Sequence, residues 1–103
     1  MEIIKKLSGM IDDELEGACE YIKCALKYKE DQPNLSKTFY ELSLEEMGHV
    51  NKLHSEVTKL IENHRREHGE PPATMLAVYD YIHEKHIEKA TKIRLYQDQY
   101  KTY

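Results

Sequence analysis

Glu46 and His49 stand three residues apart in Leu44-Glu45-Glu46-Met47-Gly48-His49-Val50. On a helix they lie one turn apart on the same side, where a carboxylate oxygen and an imidazole nitrogen can hold one metal ion. The spacing alone says little. With 14 Glu and 6 His among 103 residues, chance supplies about 0.8 such pairs. A third residue changes the odds. Glu14 follows Leu7 by seven and Ile11 by three and precedes Ala18 by four, so it borders an apolar stripe. A buried ionised carboxylate costs several kcal/mol unless it is paired or bound to metal, so a glutamate there needs a partner.

The elements that would position these side chains are three helices. Ile4, Leu7, Ile11, Leu15, Ala18, Ile22, Ala25 and Leu26 recur at three and four, which predicts a helix over about residues 2–30. Glu30-Asp31-Gln32-Pro33-Asn34 breaks the pattern with turn-forming residues. A second helix over about 35–68 carries Leu35, Phe39, Leu42, Glu46, His49 or Val50, Leu53, Val57, Leu60 and Ile61, and Gly69 ends it. Glu70-Pro71-Pro72 makes a corner, and a third helix over about 73–100 carries Leu76, Tyr79, Ile82, His86, Ala90, Ile93 and Tyr96. The expectation is a single all-α domain, residues 1–103, with a long antiparallel hairpin and a third helix.

Counting from a turn centred near residue 31, Glu14 lies 17 residues before it, and Glu46 and His49 lie 15 and 18 after it. At ~1.5 Å per residue these depths are roughly 25, 22 and 27 Å, so the three side chains should meet at one level. Rods of this length leave apolar stripe uncovered in a lone chain, and self-association through those faces is expected.

Composition narrows the alternatives. A formal charge of −4 and a pI near 5.8 provide no basic stripe for nucleic acid. No segment approaches the ~20 apolar residues of a membrane span, and the N-terminal run is too short for a secretory signal. Cys19 and Cys24 are turned about 140° from each other on a helix, which predicts reduced thiols in a cytoplasmic protein. Neither cysteine has a recognisable base, and the glycines form no phosphate loop.

Asp13-Glu14-Leu15-Glu16-Gly17-Ala18-Cys19-Glu20-Tyr21 resembles the first ligand helix of bacterioferritins and rubrerythrins, where a ligand glutamate is followed seven residues later by tyrosine. Glu45-Glu46-Met47-Gly48-His49 resembles the Glu-x-x-His of the same ferritin-like superfamily of di-iron carboxylate proteins. The likeness covers about residues 7–61. It implies Glu14 as a terminal ligand, Glu46 as a bridging carboxylate and His49 as a terminal nitrogen ligand. Tyr21 shares the Glu14 stripe, either as a hydrogen-bond or electron donor to the site or as a core tyrosine with one satisfied hydroxyl. In size the chain is similar to the encapsulated ferritins, whose short hairpins assemble the di-iron centre between subunits.

That resemblance implies a ferritin-like four-helix core completed by dimerisation, with iron as the metal and manganese or zinc as the other ions such donors accept. It implies a ferroxidase, with Fe(II) and dioxygen or peroxide as reactants, a homodimer or higher homo-oligomer, and a protein shell as a further partner. The long third helix and the polar segment Gln97-Asp98-Gln99-Tyr100-Lys101-Thr102-Tyr103 depart from the encapsulated pattern. Two alternatives stand beside it. One is a rubrerythrin-like peroxide reductase, for which the chain lacks rubredoxin-type cysteine pairs. The other is a metal-free helical assembly module in which Glu14, Glu46 and His49 fix helix register.

Helix three adds Asp80, His83 and His86. Counted from a corner near residue 70, His83 falls opposite residue 57 and the Glu46–His49 level falls opposite 91–94. The offset is ~12–16 Å, too far for direct ligation within one chain. These residues are structural or interfacial, or a second metal site. His54 is read as covering the hairpin edge. His64, Arg65, Arg66 and His68 complement the helix dipole, and Tyr79, Tyr81, Tyr96 and Tyr100 suit helix and subunit interfaces.

Overall fold

In the computed structural model, which describes residues 2–102, the chain forms three helices: α1 (Glu2–Lys27), α2 (Pro33–His68) and α3 (Ala73–Thr102). Among the described residues there is no strand. The turn after α1 continues helical bonding for one step, with the Tyr28 amide donating to the Cys24 carbonyl at 3.0 Å. Pro33 then opens α2, where its missing N–H costs nothing. Gly69 closes α2 at φ 79°, a left-handed conformation that suits glycine, and its amide donates to Arg65 O at 2.9 Å.

The α1 stripe is buried as its periodicity requires: Ile4, Ile11, Leu15, Ala18, Ile22 and Ala25 are each at most 2% exposed. On α2 the buried face is displaced from the expected one. Ser36, Ser43, Met47 and Val50 are buried, whereas Leu35 is 46% exposed and Leu42 half-buried. The cause is hydrogen bonding and size. Ser43 Oγ donates to the Ala18 carbonyl at 2.8 Å, and Ser36 Oγ donates to the Ala25 carbonyl. Small serines opposite alanines let the helices close, and each satisfied hydroxyl contributes about 0.5–1.5 kcal/mol. The two bonds are seven residues apart on both helices, so they lock one antiparallel register.

α3 returns along the hairpin, lying mainly against α1. Ile93 joins Ile11, Leu15, Ala18, Met47 and Val50 in the core. Gln97 Nε2 donates to Ser43 Oγ at 3.0 Å, and the Tyr40 and Tyr100 rings stack at 4.4 Å. Lys29 donates to the Tyr100 carbonyl and lies 4.5 Å from the centre of its ring. The bundle measures 55 × 18 × 17 Å. Among the described residues no helix is long and apolar enough to cross a membrane. Cys19 and Cys24 are free thiols.

Candidate metal centre

Glu14 projects from α1, and Glu46 and His49 project from successive turns of α2. His49 Nδ1 lies 3.2 Å from Glu14 Oε2 and 3.6 Å from Glu46 Oε1. One donor atom from each of the three falls within 4.8 Å of the other two. Uniform helical rise, together with the two serine locks, brings them to one level. The side chains are partly open: His49 is 52% exposed, Glu14 29% and Glu46 24%. At 100° per residue, Glu14 is turned about 160° from Asp12 and Glu46 about 120° from Tyr40. Asp12 and Tyr40 both meet α3, so the trio lies on the side of the hairpin that α3 does not cover.

Gly17, one turn beyond Glu14, makes room for the trio. A Cβ there would stand 3.2 Å from Glu46 Oε2 and 3.7 Å from its Cδ. The second carboxylate therefore rests against bare backbone of α1. In the sequence Gly17 stands only as part of a motif, because the contact that makes it matter comes from the other helix.

Two carboxyls this close cannot both ionise freely. The hydrogen bond with Glu46 holds Glu14 below its ordinary range, His49 adds to that effect, and burial opposes it. Glu46 is pushed up by the same bond, by burial and by the charge on Glu14, against a smaller opposing pull from His49. The two carboxyls thus oppose each other's charge, and an incoming cation would relieve that repulsion. Two oxygen donors and one imidazole nitrogen form a borderline-hard set suited to Fe(II), Mn(II) or Zn(II).

Tyr21 lies on the same face, two turns from Glu14. Its ring stacks on Phe39 at 6.2 Å, and among the described residues its hydroxyl makes no hydrogen bond to Glu14 or Glu46. The structure therefore brings together Glu14, Glu46 and His49 and leaves Tyr21 packed beside them. The α3 residues stand elsewhere. His83 meets His54 across the bundle, and His86, only 8% exposed, donates from Nε2 to Asp12 Oδ1 at 2.9 Å. His54 pairs with α3 instead of covering a free hairpin edge. Burial, followed by the charges of His83 and His86, lowers its pKa. At the α2 terminus, Arg65 pairs with Glu70 at 3.3 Å and the His64 and His68 rings lie 5.0 Å apart.

Comparison with family models, with curated proteins and with solved structures gives no match for this chain, so the chemistry of the site carries the functional argument.

Proposed function

We propose that this chain is an iron-binding, ferritin-like protein in which two copies build a di-iron carboxylate site that oxidises Fe(II). The observation that carries this reading is the convergence of Glu14, Glu46 and His49 within 4.8 Å on the uncovered side of the hairpin. One such set supplies too few ligands for two ions. Two sets related by a two-fold axis supply four carboxylates and two imidazoles. Exposed Ile3 and Met10, 49% and 42% accessible, flank Glu14 on its own face of α1, and Leu35 offers apolar surface on α2. That surface suits a second copy.

In this reading Fe(II) is the substrate. Each Fe(II) gives up one electron, and the two electrons from one di-iron site reduce dioxygen with two protons to hydrogen peroxide, or hydrogen peroxide with two protons to two waters. Glu14 and His49 fix the ion at its edges. Glu46 supplies the second carboxylate, and the cation's charge offsets the repulsion between it and Glu14. Gly17 leaves the Glu46 carboxylate room to stay between the two helices.

Anaerobic Fe(II) titration is the test. The wild type should take up about two irons per dimer on the shared-site arrangement, and admitting oxygen should produce ferric absorbance. Unchanged iron content in Glu46→Ala or His49→Ala would sink the metal reading. Iron uptake without ferric absorbance would leave binding and remove the oxidase. One observation favours a second, metal-free reading: His49 Nδ1 already touches both carboxylates. That network would fix register, show no stoichiometric metal uptake, and reveal itself as lost stability in the same variants.

A further inference from the structure

A second set of nitrogen donors meets where α2 and α3 flank a cleft. His54 Nε2 on α2 lies 3.3 Å from His83 Nδ1 on α3, with ring centroids 5.0 Å apart and ring planes at 21°. Two imidazole nitrogens bound tetrahedrally to one ion at 2.0–2.1 Å stand about 3.3 Å apart, twice the bond length times the sine of half the tetrahedral angle. The two rings already hold that separation. A cavity of about 280 Å³ opens onto them, lined also by Tyr79, Asp80 and His86. The Tyr79 hydroxyl is buried without a hydrogen-bond partner among the described residues. Among the described residues the three-donor group is the carboxylate cluster, so His86, held by Asp12, is a neighbour of the imidazole pair and not its third ligand.

We propose that His54 and His83 form a two-imidazole clamp for a divalent ion of the nickel, copper and zinc group. An all-nitrogen pair prefers such ions to the harder cations that the carboxylate cluster accepts. Each ring binds neutral, with its proton on the outer nitrogen, Nδ1 of His54 and Nε2 of His83, and solvent fills the remaining positions. The clamp joins α3 to α2, the pair of helices that touch least. Bound metal therefore stabilises the fold where the chain supplies the fewest links of its own. This site is independent of the carboxylate cluster.

The experiment uses the full chain carrying Glu14→Ala and Glu46→Ala, which removes the carboxylate cluster. Zn(II) is titrated against a competing chelator while the thermal midpoint is followed. About one Zn(II) per chain should bind, and the midpoint should rise with zinc. Adding His83→Ala or His54→Gln should lower the affinity at least tenfold and abolish the rise, with circular dichroism in chelator showing that each variant folds. His68→Ala tests the other imidazole pair, His64 and His68, one turn apart on α2, and should bind zinc like its parent. Undiminished zinc binding in His83→Ala, loss of binding in His68→Ala, or no binding in the parent would each overturn the clamp.

Discussion

Replacing Gly17 with alanine separates a metal site from a structural polar cluster, because the two predict opposite changes from one methyl group. Gly17 lies inside α1, where glycine costs roughly 0.5–1 kcal/mol relative to alanine. The new Cβ would meet the end of the Glu46 side chain at 3.2 Å, close enough that the carboxylate must give by a few tenths of an ångström. The obstacle is flexible and partly exposed, so the fold absorbs it. The metal-free chain should therefore melt higher, by about 2–8 °C for a domain of this size. Metal binding should move the other way. A displaced carboxylate no longer meets the ion at its set position, and changes of this kind cost roughly 10–100-fold in affinity. We expect about tenfold, or ~1.4 kcal/mol, in Mn(II) or anaerobic Fe(II) titrations run beside the melts. A variant that binds metal within twofold of wild type would refute the role given to Glu46, and one that melts several degrees lower would make Gly17 a packing residue.

Three further outcomes are expected. Because Glu14 and burial raise the Glu46 pKa, the metal-free chain is most favoured with Glu46 protonated, and that stability is lost as pH rises through the raised value. Glu46→Gln should thus melt above wild type at neutral pH without metal, with the difference closing on acidification, and wild-type Mn(II) affinity should fall as pH drops toward the carboxylate range. A pH-independent difference between the melts would contradict this. Ser43→Ala strands the buried Gln97 amide and removes the bond to Ala18, at a cost of about 1–3 kcal/mol in urea unfolding. Adding Gln97→Leu should recover part of the loss, and strictly additive losses would show that the pair is not coupled. Sedimentation should find a dimer or larger assembly, with Met10→Lys shifting it toward monomer and lowering iron stoichiometry. A wild-type monomer that binds iron stoichiometrically would exclude the shared site.

What could be read from the sequence was what depends on regular spacing. Helical rise is uniform, so counting from the turn brought Glu14 level with Glu46 and His49, and counting from the corner set His83 opposite residue 57, three residues from its partner His54. Pro33, Gly69 and the Pro71-Pro72 corner marked the two turns, although α1 stops at Lys27, short of the expected end near residue 30. What the sequence concealed depends on contacts between helices. An apolar pattern predicts Leu35 and Leu42 inside α2, but hydrogen-bonded Ser36 and Ser43 take that place because α1 presents alanine carbonyls there. On α3 the expected stripe through Leu76, Tyr79, Ile82, His86, Ala90, Ile93 and Tyr96 is the inward face, and what the pattern concealed there is Gln97, buried by its bond to Ser43. Tyr21 shares the Glu14 face, yet only the structure reveals its stack on Phe39.

The paired serine locks also predict which changes of chain length the protein can survive. Ser36 and Ser43 reach Ala25 and Ala18 from positions that do not depend on how the chain crosses between α1 and α2. Extra residues within the Tyr28–Gln32 turn leave both locks and the Glu14, Glu46 and His49 trio aligned, at the modest entropic cost of a longer loop. One residue inserted between Ser43 and Glu46 keeps the locks but rotates the carboxylate by about 100°, away from the gap that Gly17 provides. Loop variants should therefore keep metal uptake, whereas a single insertion three residues from a ligand should abolish it in a chain that still folds.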